Sequence, residues 1–363
     1  MNKIYSEKNI YVELLEFIRI KQPCVLSTVT ETKGSTPQKP GSSAIFGPNQ
    51  LLAGTVGGGV VELKVKNFAV KAIEKKESAF FVFNLNHDIS NDSEAICGGG
   101  MNILLDASPE KHVGVFEEIK NSCLNRIPGV MATSFVETNA MVKSIERIWI
   151  TKQNSTSLNT ALPVETRQRI DKMLSDPIPD DFKQITTSVI GEERTTTFFE
   201  TIVPSPQLIV AGAGHVGKAL SHLANLLDFD VIVWDDRAEY ANKENLPDAN
   251  EILCGNLKES LGKRKIDHTS YLVIVTSNHK NDVEVLRAFI KLPVAYIGMI
   301  GSKKKIEQVR KLFLKQKWAT QEEWDKIYTP IGLKIHSKTV QEIALSIAAQ
   351  LVLVRNQNNK KDE

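Results

Sequence analysis

Three glycines in the second half of the chain stand at the spacing that a phosphate-binding turn requires. Gly212, Gly214 and Gly217 form a G-x-G-x-x-G sequence. In such a turn the first glycine permits a tight bend, the second lets the backbone approach a phosphate, and the third allows a helix to pack closely on a strand. The free N–H groups at the helix start favour an anion. His215, inside the turn, is either placed to touch a bound phosphate or is a surface histidine without a role.

The segments around this turn predict a strand, a helix and a second strand. Residues 207–211 are apolar, and apolar residues after the turn recur at the spacing of one buried helical face. The strand that begins at Asp230 ends in Asp235 and Asp236, the position where a ribose hydroxyl is commonly bound and where a carboxylate favours NAD over NADP. The pattern predicts a Rossmann-like unit. The alternative is a unit that keeps the turn for packing and binds no nucleotide.

The N-terminal half contains its own glycine-rich junction. Gly57, Gly58 and Gly59 separate a predicted strand from a predicted amphipathic helix, which again leaves N–H groups at a helix start where an anion is favoured. Upstream, residues 33–43 form a turn-rich loop with small hydroxyl side chains, among them Ser35.

One cysteine is placed where sulfur or metal chemistry would be possible. Cys97 is followed by Gly98 and Gly99, so several backbone N–H donors could lie near its thiol and favour the thiolate. The alternative is a small apolar residue beside a turn, because a free cysteine is usually buried and inert.

Polar residues also follow the later strands of the C-terminal half. Residues 271–276 predict a buried strand, and His279 and Asp282 come soon after it. The carboxyl ends of parallel strands face the ligand crevice, so both side chains are candidates for the site. Their alternative is a helix cap and a solvent-facing histidine. Gly301 and Ser302 precede a lysine run and predict another anion-binding turn.

The elements that must position these residues fall into two predicted domains. Residues 1–204 predict a mixed α+β domain, and its later predicted elements are strands at 112–116, 130–136, 145–150 and 195–203 and a helix at 164–174. Residues 205–355 alternate strands and helices as a parallel sheet demands, and residues 356–363 predict a polar, disordered tail. The expected fold class is α/β, with a C-terminal Rossmann-like parallel sheet domain and an N-terminal mixed α+β domain.

Charge and cysteine usage exclude several classes of function. The formal charge of +2 over 363 residues argues against a nucleic-acid-binding surface, and no apolar stretch is long enough to span a bilayer. The four cysteines form no C-x-x-C pair and have no histidine at metal-ligand spacing, which favours reduced thiols and a cytoplasmic location.

The repeated glycine turns favour a binder of an anionic, phosphate-bearing cofactor over a hydrolase. No nucleophile elbow, H-E-x-x-H or P-loop sequence is present. An NAD(P)-dependent oxidoreductase is the alternative, and His279 or His215 would have to serve as its acid or base. A pure protein-binding adaptor is less favoured, because an adaptor needs no anion-binding turns.

Taken together, the motifs resemble the XdhC/CoxI family of accessory proteins for molybdenum hydroxylases such as xanthine dehydrogenase. The resemblance covers nearly the whole chain, and it depends on the order and spacing of many short motifs. They are GSTP at 34–37, PG at 40–41, GGG at 57–59, CGG at 97–99, GAGHVG at 212–217, DDR at 235–237, His279 with Asp282, GS at 301–302, PIGL at 330–333 and EIALSIAA at 342–349.

The resemblance implies a chaperone that binds the molybdenum cofactor (molybdopterin), protects it while its sulfido ligand is installed, and delivers it to a xanthine dehydrogenase-type hydroxylase. A cysteine desulfurase or another sulfur donor would be a second partner, and a homodimer is expected. The anionic pterin phosphate and dithiolene suit glycine-turn N–H groups, and Cys97 is a candidate molybdenum contact.

Overall fold

The computed structural model describes residues 9–84, 99–139, 141–154, 164–175, 183–262 and 264–358. The chain divides into two compact units, one ending at Pro204 and the other beginning at Ser205. The first is the N-terminal unit below, and the second is the C-terminal unit. In the described residues, no helix is long and apolar enough to cross a membrane.

The N-terminal unit is built from antiparallel strands with helices packed against them. Its helices are α1 (Ile10–Arg19), α2 (Gly59–Lys75), a 3-10 turn (Pro109–His112), α3 (Val113–Leu124) and α4 (Val164–Ser175). Its strands are β1 (Val25–Lys33), β2 (Ser43–Phe46), β3 (Leu51–Gly54), β4 (Ala79–Asn84), β5 (Gly100–Asp106), β6 (Gly129–Thr138), β7 (Met141–Ile150), β8 (Lys183–Ile190) and β9 (Glu193–Ile202).

Among the described residues these nine strands form one sheet in the order β3-β2-β1-β5-β4-β7-β6-β9-β8. Successive side chains of a strand point to opposite faces, and β1 is buried on both. Val25 and Val29 pack toward α2, whereas Leu26 packs toward α1 and α3. Helices therefore cover both faces around β1, and the start of α2 is held firmly beside the sheet.

The prediction of a strand at residues 112–116 is wrong. Residues up to His112 form the 3-10 turn and α3 begins at Val113, because Phe116 and Ile119 lie one helical turn apart and are both fully buried. Phe116 stacks on Tyr11 of α1 with ring centroids 5.6 Å apart. This packing overrides the local preference of aromatic and β-branched residues for strands. The other strands and the helix predicted near this region are confirmed.

The C-terminal unit is an α/β domain with a parallel sheet, as expected. Its strands are β10 (Gln207–Ala211), β11 (Asp230–Asp235), β12 (Glu251–Cys254), β13 (Ser270–Ile274) and β14 (Tyr296–Met299). Its helices are α5 (His215–Leu226), α6 (Leu257–Leu261), α7 (His279–Phe289), α8 (Lys303–Lys315), α9 (Gln321–Asp325) and α10 (Val340–Asn358). In the part that the structure describes, the strand order is β12-β11-β10-β13-β14. Strand order reverses on the two sides of β10, and ligands of such sheets bind in the crevice at that point.

Helix α10 closes one face of this sheet. Ala344, Ile347, Leu351 and Val354 are buried along one side of it, as the helical spacing predicts. The predicted capping box is confirmed by reciprocal hydrogen bonds between Thr339 and Glu342. The helix runs to Asn358, so residues 356–358 form its last turn rather than the expected tail, and the rest of that tail lies outside the described residues.

Candidate functional site

The glycine turn of the C-terminal unit is shaped by backbone packing. Gly212 has a φ of +118°, and a Cβ there would lie 2.6 Å from the carbonyl oxygen of Val275. Gly217 lies against the carbonyl of Gly212, and its Cβ would come closer than the 3.0 Å that real Cβ atoms respect. Both glycines therefore allow close packing of the turn on β13 and on the first turn of α5, as the G-x-G-x-x-G spacing predicts.

The start of α5 is open. Its N-cap residue, Gly214, supplies no side-chain hydrogen bond, and a Cβ there would meet no atom within 4 Å. His215 is the first helical residue and is exposed, and it lines a cavity of about 830 Å³ together with Lys218. Uncapped N–H groups at a helix start attract an anion. The cavity runs along α5 toward residues 245–248 and α10 and is not lined by Gly212 or Gly214, so its volume says nothing about that anion.

The carboxylate of Asp235, at the end of β11, accepts hydrogen bonds from neighbouring residues of the protein. The side chain is 3% exposed. Its Oδ2 accepts a hydrogen bond from the N–H of Ala213 at 2.8 Å and another from Nη2 of Arg237 at 3.0 Å. Oδ1 accepts Nε of Arg237 at 2.9 Å. Asn245 donates in turn to the carbonyl of Ala213 at 2.9 Å. The carboxylate therefore fixes the glycine turn, and a ribose hydroxyl would have to compete with these donors. The side chain of Asp236 is 45% exposed, and its contact with a ribose hydroxyl stays a prediction.

The hydrogen bonds of Asp235 predict that the stability of the protein depends on pH. Burial raises the pKa of this carboxyl, but the hydrogen bonds from Arg237 and Ala213 outweigh it and hold the pKa below its ordinary value. The stabilisation is therefore full above the unfolded pKa of about 3.9 and is lost as the pH falls through the lower folded value. We expect Asp235→Asn to cost about 1–3 kcal/mol of unfolding free energy at pH 7, because buried donors lose their acceptor. Urea denaturation from pH 7 downward measures it.

The difference in stability between the wild type and Asp235→Asn should shrink as the pH falls from about 4 through the lower folded pKa, because protonation then removes the charge of the wild-type carboxyl. Asp236→Asn is the matched control, since its side chain is 45% exposed, and it should change stability little at any pH. Equal losses in the two variants would contradict the assigned role of Asp235.

A second polar group lies at the crevice edge, beyond β13. Thr276 donates to Oδ1 of Asp282 at 2.6 Å, and the ammonium of Lys305 pairs with Oδ2 of the same fully buried carboxylate. The backbone of Thr276 also lies against Gly212, so this group adjoins the glycine turn. Asp282 is therefore a structural anchor for Lys305 rather than an open carboxylate.

His279 and the turn at Gly301 and Ser302 have a different environment. His279 is exposed at the start of α7, whose N-cap, Asn278, accepts the N–H of Lys280. Ser302 caps α8 by accepting the N–H of Lys305. Because both helix starts have side-chain caps, they are less open to an anion than the start of α5. An anion bound at Gly301 and Ser302 stays a prediction.

In the N-terminal unit, three of the predicted segments come together. A Cβ on Gly99 would lie 2.5 Å from the carbonyl oxygen of Ser35, so the backbone after the C-G-G sequence packs on the hydroxyl-rich loop. A Cβ on Gly57 would lie 2.8 Å from the ring of Pro37 in the same loop. Ser35, the glycine turn at 57–59 and Gly99 therefore form one cluster, here called the N-terminal glycine cluster.

The glycine turn presents an open helix start to this cluster. Gly58, the N-cap of α2, has φ +66° and ψ −175°, a conformation that only glycine adopts readily, and it supplies no side-chain cap. A Cβ on Gly58 or Gly59 would meet no atom within 4 Å. Gly58 therefore leaves the start of α2 without a side-chain cap, and the space beside Gly58 and Gly59 is open, which suits an anion.

Cys97 and Gly98 lie outside the described residues, so their predicted roles are untested. Among the residues that are described, no group of three or more His, Cys, Asp or Glu side chains could hold a metal ion. The sequence alone did not indicate that Asp235 fixes the glycine turn or that Lys305 reaches Asp282. Arg237, two residues after Asp235, was the available signal for the first of these contacts.

Comparisons with known proteins place both units in one family. Residues 208–351 match the model described as the XdhC Rossmann domain, and residues 18–84 match the model of the XdhC and CoxI family. A probable xanthine dehydrogenase subunit of Bacillus subtilis (strain 168) is 24% identical over 349 residues, which are 96% of this chain and 98% of that protein.

Two further relatives are more limited in what they show. The uncharacterized protein YqeB of Escherichia coli (strain K12) is 34% identical over 158 residues, which are 42% of this chain but only 28% of that protein. The crystal structure of a xanthine dehydrogenase from Bacillus halodurans has a TM-score of 0.73 at 22% identity and covers 97% of this chain and 98% of its own. This likeness shows a shared fold.

Proposed function

The chain belongs to the XdhC and CoxI family, and from this premise we propose that it is an accessory protein of a xanthine dehydrogenase-type molybdenum hydroxylase. In this role it binds the molybdenum cofactor as cargo, protects it during sulfuration and delivers it to the hydroxylase. A cysteine desulfurase or another sulfur donor is the proposed second partner, and the protein is proposed to act as a homodimer in the cytoplasm.

The observation that carries the proposal is the N-terminal glycine cluster. It combines an uncapped helix start, open space around Gly58 and Gly59, and the backbone of the loop that contains Ser35. The cofactor carries an anionic phosphate and an anionic dithiolene, and backbone N–H groups are suitable donors for both. A side chain at Gly58 or Gly59 would fill the space that such an anion needs.

Cys97 is proposed as the molybdenum contact. The sequence places it two residues before Gly99, which packs on the Ser35 loop. A thiolate is a soft ligand of the kind that suits molybdenum–sulfur chemistry. Gly98 and Gly99 are proposed to hold the thiol beside the bound cofactor.

We also propose a second anion site in the C-terminal unit, at Gly214 and His215. The molybdenum cofactor or a separate nucleotide would suit it, and Asp236 and His279 are the proposed further contacts. If the site binds NAD(P), the protein would be an NAD(P)-dependent oxidoreductase, which is the second candidate function. The uncapped start of α5 favours the oxidoreductase. The hydrogen bonds that Asp235 accepts within the protein do not, because they occupy the oxygens that a ribose hydroxyl would contact.

A transfer experiment tests the accessory role. The full chain is isolated without oxygen from a host with intact molybdopterin synthesis and is mixed with a cofactor-free xanthine dehydrogenase-type hydroxylase. We expect xanthine oxidation to appear, and Gly59→Asp to abolish it because the new carboxylate repels the cofactor anion. Gly59→Asn has the same shape and backbone strain without the charge, so it should retain more transfer. Equal activity with and without the protein, or NADH-dependent turnover by the chain alone, would contradict the proposal.

A further inference from the structure

A second cavity in the N-terminal unit is distinct from the glycine cluster. It has a volume of about 450 Å³ and lies at the end of α2, beside the starts of β4 and β7 and the 3-10 turn. Helix α2 has 17 residues and at ~1.5 Å per residue is about 25 Å long, so its two ends are far apart. The volume falls in the range of small-molecule sites, roughly 300–1,000 Å³.

The walls of this cavity are strongly basic. Lys71, Lys75, Lys76 and Lys111 line it, are all exposed, and have no ion-pair partner among the described residues. Glu77 is the one lining carboxylate in the described part of the chain that is not paired.

The remaining lining charges are neutralised by partners. Lys143 bonds to Glu193 at 2.7 Å, and Asp106 bonds to Arg147 at 2.5 Å. Lys75 and Lys76 lie at the C-terminal end of α2, where the helix dipole favours positive side chains. This does not explain Lys71, which lies one turn earlier, or Lys111, which lies on another element. The free charge of the cavity is therefore positive, and it suits a ligand with a phosphate group.

An aromatic pair forms the apolar side of the same cavity. Phe68 of α2 and Phe81 of β4 both line it, and their rings stack with centroids 4.2 Å apart and planes 23° apart. Both rings are only half-buried, so part of each remains accessible. Aromatic surface beside a cationic wall favours a ligand that carries a planar ring as well as a phosphate.

His112 adds a polar group to the cavity. It is half-buried, and burial together with the charge of Arg147 lowers its pKa below the ordinary value. The imidazole is therefore neutral at pH 7 and carries one donor and one acceptor, which suits the polar edge of a heterocycle.

We propose that this basic pocket, defined by Phe68, Lys71, Lys75, Phe81, Lys111 and His112, binds a phosphorylated planar heterocycle. A purine nucleotide and a pterin monophosphate share this chemistry. The proposal stands on the cavity alone and holds whether or not the accessory function is correct.

Binding to the full chain is measured by isothermal titration calorimetry with four probes. Guanosine monophosphate and a pterin monophosphate carry both the ring and the phosphate, whereas guanosine and inorganic phosphate each carry one part. We expect one of the two complete ligands to bind at least about tenfold more tightly than either fragment. The tighter of the two identifies the source of the ligand. No binding by either complete ligand, or binding equal to that of phosphate alone, would overturn the proposal.

Variants locate the bound ligand. Lys71→Glu with Lys111→Glu should weaken binding by about tenfold or more, because each change replaces an attraction to the phosphate by a repulsion. Lys64→Glu is the control, since Lys64 is an exposed lysine of the same helix outside the pocket. Phe68→Leu should weaken the binding of the complete ligand but not the binding of inorganic phosphate. Two results would overturn the assignment of the ligand to this pocket. One is that Lys64→Glu weakens binding as much as the pocket variants do; the other is that Gly59→Asp abolishes binding while the pocket variants leave it unchanged.

Discussion

Gly217→Ala is expected to destabilise the C-terminal unit by about 3 kcal/mol or more, at the upper end of the cost of overpacking. The added Cβ would collide with the carbonyl oxygen of Gly212, a backbone atom that cannot rotate away. The turn would have to move, and the bonds between Ala213 and Asp235 and between Gly212 and Trp234 would move with it. Native-state hydrogen exchange of the full chain reports this loss, because it measures the protection of each unit separately.

Gly214→Ala is the matched control for this prediction. Gly214 lies in the same turn, but its φ is −68° and a Cβ there would meet open space. We expect a change of no more than about 1 kcal/mol, the usual scale of an N-cap effect. Comparable losses in the two variants would mean that the close approach of Gly217 to Gly212 does not determine the stability of the turn.

Asp106→Asn is expected to destabilise the N-terminal unit by about 3–5 kcal/mol, the cost of removing one partner of a buried ion pair. The side chains of Asp106 and Arg147 are 2% and 1% exposed, and Nη1 of Arg147 donates to Oδ2 of Asp106 at 2.5 Å. Arginine cannot lose its proton in the folded protein, so the guanidinium would remain charged, buried and without a counter-charge. Urea denaturation measures the change.

The same strand supplies the control for the buried pair. Lys143 and Glu193 form an ion pair in which both side chains are 53% exposed. Glu193→Gln should cost less than about 1 kcal/mol, because solvent screens an exposed pair. Replacing both Asp106 and Arg147 by leucine should recover part of the loss, since no unpaired charge then remains. A loss from Asp106→Asn no larger than that from Glu193→Gln would contradict the account.

Features set by neighbours along the chain could be predicted from the sequence. The G-x-G-x-x-G spacing predicted the turn before α5, and Thr339 with Glu342 predicted the cap of α10. The apolar spacing in α10 predicted its buried face. In each case residues three or four apart determine the structure, so no distant contact is needed.

Features set by distant contacts could not be predicted in this way. Residues 112–116 were assigned to a strand because their composition favours one, but Tyr11 packs on Phe116 and stabilises a helix. The sequence showed that Asp235 ends a strand, but not that Ala213 and Arg237 occupy its oxygens. Likewise, Ser35 and Gly99 meet because β1 pairs with β5, and this pairing joins segments far apart in the chain.

The most direct test of the central proposal is the content of molybdenum and pterin in the purified protein. The full chain is made in a host with intact molybdopterin synthesis and isolated without oxygen, beside Gly59→Asp, Gly59→Asn and Cys97→Ala. We predict near-equal molar amounts of molybdenum, pterin and wild-type chain, loss of both in Gly59→Asp, and greater retention in Gly59→Asn. Cys97→Ala should lose molybdenum more than pterin. Absence of both from the wild type, with a bound nucleotide instead, would contradict the proposed accessory function.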